Sequence, residues 1–177
     1  MTSNAGKRQE AERILGGAIE TVAIDLPEIQ SLDMAEVLRA KADEAWRHLG
    51  RPLIVEETGL EIHAMNGFPG PLVKWMLEAV GAEGVARVAK AFDDPGVTAR
   101  CSLLYRSADG DVVASGETVG ELVLPARGGH GFGWDPVFLP AGESQTYGEL
   151  SAERKDAIGH RGRAWRALVE QLSQSEK

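Results

Sequence analysis

At 177 residues, with 43% hydrophobic and 26% charged side chains, the chain has the size and composition of a single globular domain, 1–177, with a substantial core. Its 27 acidic residues outnumber 19 basic ones for a net charge of −8, which excludes a large nucleic-acid footprint but leaves room for a small polyanion held by converging lysines. No apolar run approaches the roughly 20 residues of a membrane span, and nothing near the start reads as a secretory signal.

The first element is a helix over 5–15, with Ala11, Ile14 and Leu15 on one face and Gly16-Gly17 as its cap. Ahead of it runs the small-residue stretch TSNAGK. A bare loop at a helix start presents backbone N–H groups under the positive end of the helix dipole, which suits a phosphate, and Lys7 adds a point charge. The competing reading is a frayed terminus with one solvated lysine. It is not a Walker loop, because Met1 stands where that motif requires glycine.

IETVAI (19–24) alternates like a strand, and Asp33 is a good N-cap for the helix MAEVLRAKADEAWRHL, which ends at Gly50. PLIVEETGLEIHA reads as a buried strand breaking into a shorter one, and MNGFPGP as a rigid turn. Two helices follow, over about 71–80 and 84–92. The segment 96–124 is a strand pair turning at Asp109-Gly110, and it carries the lone cysteine, Cys101, in ARCSLLY. With no second cysteine, a buried thiol in a reducing cytoplasm is the economical reading. PARGGHGFGWDP is a glycine-rich loop, and SAERKDAI and HRGRAWRALVEQL are helical. Helices alternating with strands, then an antiparallel hairpin, imply an α/β fold with a mixed sheet.

Four stretches carry candidate chemistry. TSNAGK is the first. In VEETG the adjacent acids Glu56 and Glu57 sit at the end of an apolar strand, a common place for a Mg²⁺ ligand; two solvated turn acids is the alternative. In GGHGFGWDP the rings of Phe132 and Trp134 ride on a loop suited to stacking a base, unless they plug the core. In ERKDAIGHRGRAWR, Lys155, His160 and Arg161 can converge where one helix stops at Gly159 and the next begins; a solvated helix face is the alternative.

Taken in order, TSNAGK, IDLPE, VEETGL, GFPGPLVKW, GFGWDPVF and TYGELSAERKDAIGHR resemble the inosine triphosphate pyrophosphatase family, nearest its eukaryotic-type branch. The resemblance runs from Thr2 to about Leu168. It implies a twisted sheet with flanking helices forming two lobes around a central cleft. It also implies hydrolysis of purine nucleoside triphosphates with a 6-oxo base (ITP, dITP, XTP) to the monophosphate and pyrophosphate, a house-cleaning activity.

Residue by residue, Thr2, Ser3, Asn4, Ala5, Gly6 and Lys7 fall on the triphosphate loop. Glu28 and Glu57 fall on metal-binding acids, with Glu57 also activating water and Glu36 near the metal's water shell. Lys41, Thr58 and Lys74 fall on nucleotide contacts. Phe132, Gly133, Trp134, Asp135, Lys155, His160 and Arg161 fall on the base-recognition set. Lys7 and Glu57 are the implied catalytic pair, Mg²⁺ the implied cofactor with Mn²⁺ as a substitute, and a cytoplasmic homodimer the implied state.

Three departures stand beside this. The family's apolar first strand has no counterpart ahead of Thr2, so a sheet one strand short is expected. Position 57 is glutamate where the family has aspartate, and Gly159 stands where it often has serine. A nucleotide-binding protein of the same fold with impaired or no hydrolysis is therefore the second reading. A pyrophosphatase for modified pyrimidine or methylated nucleotides is the third, and FGWDP with HR argues against it.

Overall fold

The computed structural model describes residues 5–22, 24, 26–92 and 94–175. Thr2, Ser3 and Asn4 of the triphosphate loop lie outside the described residues. The elements are α1 (Ala5–Leu15), α2 (Met34–Leu49), β1 (Leu53–Ile62), β2 (Pro69–Gly70), α3 (Val73–Lys90), β3 (Gly96–Ser107), β4 (Gly110–Leu122), β5 (Phe138–Pro140), α4 (Ala152–Ile158) and α5 (His160–Ser175).

Local signals account for several boundaries. Asp33 caps α2 by accepting from the backbone N–H groups of Ala35 and Glu36, and Gly50 closes it in the left-handed conformation. The two helices expected after the turn are present as the two arms of α3, which meet at a kink at Gly81, whose φ of 69° is not helical. The hairpin turns where expected, with Ser107 opposite Gly110.

The α/β architecture with flanking helices is present, and its details differ from expectation in three ways. Every pairing in the five-stranded sheet, ordered β2-β1-β3-β4-β5, is antiparallel rather than mixed. The segment 19–24 forms no strand among its described residues, and Ala23 lies outside them. PLIVEETGLEIHA does not break; β1 runs unbroken for ten residues, and only His63–Met65 turns off it as a 3-10 helix.

The core falls into three clusters, and their placement creates the site. Leu60, Ile62, Val97 and Ala99, at one end of β1 and β3, pack against α3, Phe138 and Tyr147. At the other end, Cys101, Leu103 and Ala114 pack under α1 and α5, while Leu53, Val55 and Leu104 pack under α2. Between these apolar ends the middle of β1 reads Glu56-Glu57-Thr58, buried and polar. A strand whose ends are apolar and whose centre is charged holds two lobes apart around a polar seam. No helix among the described residues is long and apolar enough to cross a membrane.

Candidate active site

Glu56 and Glu57 lie inside β1, not at its end, and both are buried. Successive residues of a strand leave opposite faces, so the two carboxylates enter different environments. Glu57 faces α2, where Lys41 Nζ lies 2.6 Å from its Oε2 and 3.1 Å from Glu28 Oε1. Burial alone would push the Glu28 carboxyl up, but the charges of Lys41, Lys74 and Lys7 hold it below its ordinary value. Three lysines from three helices thus act on one point of the cleft. Lys74 itself extends over the ring of Trp75, with its Nζ 5.0 Å from the centroid.

Glu56 enters the other face, where an alternating chain of charges begins. Lys7, in the first turn of α1 rather than in a loop, places Nζ 3.2 Å from Glu56 Oε1 and 3.3 Å from Thr58 Oγ1. Arg161 Nε donates to Glu56 at 3.1 Å, its Nη2 to Thr58 at 3.3 Å, and its Nη1 to Glu10. Lys155 Nζ then lies 2.7 Å from Glu10 and 2.6 Å from Asp135. Burial would raise the Glu56 carboxyl, yet Arg161, Lys7 and the Thr58 hydroxyl draw it down to about 2. Acid and base alternate along the chain, so the buried charges are compensated pairwise.

The residues expected from the sequence to recognise the base also converge. Asp135 Oδ2 accepts from the Phe132 N–H at 2.7 Å, which folds the loop back on itself over Lys155. Burial raises the Asp135 carboxyl despite Lys155. The Phe132 ring, half-buried and outside the core clusters, lies 4.9 Å from Lys155 Nζ and 5.5 Å from Arg161 Cζ. Gly133, beside it, takes φ 63°, and a Cβ there would lie 3.8 Å from Leu77. Trp134 packs against the core and against the His160 ring, 6.2 Å between centroids.

His160 opens α5 and is 3% exposed, with neither ring nitrogen hydrogen-bonded among the described residues. Burial, then the neighbouring charges of Arg161 and Lys155, push its pKa well below the ordinary value. A neutral imidazole with an unused donor and an unused acceptor is costly in a core, and such groups concentrate where ligands bind.

Of the residues singled out from sequence, the structure gathers Lys7, Lys41, Glu57, Thr58, Asp135, Lys155, His160 and Arg161 in the seam, with Glu28 at its exposed edge and Phe132 above. Ala5 and Gly6 are exposed or half-buried in the first turn of α1. Two members escaped sequence reasoning. Glu10 bridges Lys155 and Arg161 at the centre of the charge chain; its signal is the i,i+3 spacing from Lys7 on one helix face. Tyr147, fully buried, stacks on His160 at 6.0 Å.

Residues 1–171 match the Ham1 family. The chain belongs to that family.

Two fungal relatives of this Ham1 chain carry the name inosine triphosphate pyrophosphatase. The protein from Batrachochytrium dendrobatidis is 38% identical over 99% of this chain and 93% of its own. That from Puccinia graminis f. sp. tritici is 36% identical over 98% and 95%. Among solved structures, a HAM1 protein from Coxiella burnetii superposes with a TM-score of 0.82 at 25% identity, covering 98% of this chain and 96% of that one. The Staphylococcus aureus Ham1 protein gives 0.81 at 26% identity, over 99% and 97%. A nucleoside-triphosphatase (dITP/XTP pyrophosphatase) from Mycobacterium abscessus gives 0.71 at 28% identity, over 95% and 96%.

Proposed function

We propose that this Ham1-family chain is a nucleoside triphosphate pyrophosphatase that hydrolyses purine triphosphates with a 6-oxo base, ITP, dITP and XTP, to the monophosphate and pyrophosphate. The names of its fungal relatives give the reaction. The observation that carries the base preference is His160, buried between Arg161 and the rings of Trp134 and Tyr147, with neither ring nitrogen hydrogen-bonded among the described residues, while Arg161 lies under the Phe132 ring. A 6-oxo group can accept from an imidazole or guanidinium N–H. Adenine's 6-amino group leaves the same donors unpaired, a mismatch worth several orders of magnitude in rate when a site is built around the bond.

Bond changes follow from the product pair. Water attacks the α-phosphorus, the bond to the α–β bridging oxygen breaks, and pyrophosphate leaves. Glu57 accepts the proton of that water: its partner Lys41 is shared with Glu28 at the exposed edge of the seam, whereas Glu56 is held by Arg161, Lys7 and Thr58 on the other face. Lys7, Lys41 and Lys74 stabilise charge on the transferring and leaving groups.

Glu28 and Glu57 suit Mg²⁺, with Mn²⁺ as a substitute. Both already converge on a cation, the Lys41 ammonium, and two hard carboxylates are what Mg²⁺ takes alongside substrate phosphates. Among the described residues no third carboxylate, histidine or cysteine joins them, which leaves the remaining positions to phosphate and water. Bound there, the ion would neutralise phosphate charge and acidify a water molecule.

The reading extends to a cytoplasmic homodimer. The buried, unpaired Cys101 fits a reducing compartment, and the exposed Leu32, Phe68 and Trp75 offer apolar area for a second copy. Pyrophosphate release measured across ITP, XTP, dITP, ATP and GTP tests the assignment. Turnover of ITP and XTP far above ATP is expected; equal rates on all five would overturn the base preference, and none at all would leave a binding protein.

A further inference from the structure

His160 and Arg161 are presented by the first turn of α5, so what fixes that turn fixes the base-reading groups. The turn sits against bare backbone. A Cβ on Gly116 of β4 would lie 2.3 Å from the His160 carbonyl oxygen and 2.4 Å from the Ala164 nitrogen. A Cβ on Gly162, the third residue of α5, would lie 1.8 Å from the Asp156 carbonyl oxygen at the end of α4. These obstacles are backbone atoms, which cannot turn aside as a flexible side chain can.

The same junction is tied by groups that the proposed reaction does not use. Arg166 reaches back from α5 to donate to the Asp156 carbonyl at 3.0 Å and the Ala157 carbonyl at 2.7 Å. Thr118 donates to the Ile158 carbonyl at 3.2 Å, and the Gly159 N–H to the Lys155 carbonyl at 2.7 Å. All four of the last carbonyls of α4 are therefore satisfied, three of them by the strand and helix that the turn packs between.

We infer that Gly116 and Gly162, together with Arg166, are positioning residues: they seat the start of α5 directly on β4 and on the end of α4, and so set where His160 and Arg161 meet the base. The inference rests on the proposed function for its consequence in catalysis, but not for the seat itself. A methyl group at either glycine must lift the turn by about an ångström, and displacements of that size cost about 10²-fold in well-aligned sites. Base discrimination is what suffers most, because Lys41 and Lys74 ride on α2 and α3, although Lys7 shares the partners Glu56 and Thr58 with Arg161.

Three variants and one control decide it: Gly116→Ala, Gly162→Ala, Arg166→Ala and, in the separate core cluster under α2, Leu53→Ala. The first readout needs no substrate. The ring-proton resonances of His160, assigned by their loss in His160→Gln, should shift in all three seat variants and stay put in Leu53→Ala. The second readout is kinetic. The ratio of kcat/KM for ITP over ATP should fall at least about tenfold, carried by KM for ITP, with kcat changed little. Arg166→Lys, able to reach one carbonyl, should recover part of the ratio, and it adds no bulk that might prevent folding.

Unmoved His160 resonances in Gly162→Ala and Arg166→Ala would overturn the inference, as would a lower melting temperature with an unchanged ITP/ATP ratio. A wild-type protein inactive on ITP would sink the proposed function instead, and the His160 resonances would still decide the seat.

Discussion

Glu56 and Glu57 are consecutive in β1 and belong to different halves of the site: Glu56 pairs with Arg161 on the α5 side, Glu57 with Lys41 on the α2 side. Identical chemistry at adjacent positions thus enters two environments, one a link in the buried charge chain and one where the proposed function puts the phosphates. The split gives a sharp expectation. Glu57→Gln leaves Lys41 its pair with Glu28, so it should lower the melting temperature less than Glu56→Gln does, and it should cut kcat about a hundredfold, the scale for losing a proton acceptor. Glu56→Gln takes from the buried Arg161 guanidinium one of its two carboxylate partners, leaving Glu10, and should cost about 3 kcal/mol of stability, or about 6–12 °C in Tm. Paired kinetic and melting measurements check both; the opposite assignment of effects would exchange the roles.

The convergence of Glu28 and Glu57 on Lys41 makes metal dependence measurable. Excess EDTA should abolish pyrophosphate release, and Mg²⁺ or Mn²⁺ should restore it. Glu28→Gln should raise the Mg²⁺ concentration needed for half-maximal rate about ten- to a hundredfold, the usual scale for a weakened ligand set. Full activity in EDTA would remove the metal from the reaction.

Buried His160 ties stability to pH. Its pKa is depressed in the fold, so the unfolded chain binds the extra proton first. The stability held by the neutral ring is complete above about 6.5, the unfolded value, and drains away as pH falls below it. Melting temperature should therefore drop between pH 7 and pH 5 more steeply in the wild type than in His160→Gln. Superimposable profiles would show that the ring titrates normally.

Much of this was legible where local chemistry decides the outcome. Asp33 and Gly50 mark the ends of α2 because a cap needs only its own few residues. Lys155, His160 and Arg161 meet where the sequence places them because Gly159 ends one helix and the next starts at once. The contents of β1 were harder to read. Two adjacent acids before a glycine look like a solvated turn, and only strands and helices distant in sequence, β3, α2 and α5, make that stretch a buried interior with ion partners. Period-two alternation alone would separate Glu56 from Glu57, provided the segment is first recognised as strand. IETVAI alternates as a strand does, yet alternation supplies no ladder partner. Trp134 and Phe132 could not be told apart in the loop; packing sends one ring to the core and leaves the other over Lys155 and Arg161.

That difference between neighbouring rings and cations yields the last expectation. Phe132 lies outside the core clusters, so Phe132→Ala should leave folding intact and weaken stacking, worth about 1–3 kcal/mol per base. KM should rise for ITP, XTP and ATP together, with their ranking preserved, because a ring face does not read the 6-position. Arg161 is different. Its guanidinium holds Glu10, Glu56 and Thr58, so Arg161→Ala takes a partner from two buried carboxylates, leaving them Lys155 and Lys7, and must lower the melting temperature whatever it does to the base. A fall in stability therefore says nothing about its role in recognition. Arg161→Lys keeps the charge beside Glu56 and gives up the fork. In that variant kcat/KM for ITP should fall while that for ATP holds, narrowing the ratio between them. Steady-state kinetics on the two substrates with one folded protein measures this directly, and an unchanged ratio would confine Arg161 to holding the charge chain together.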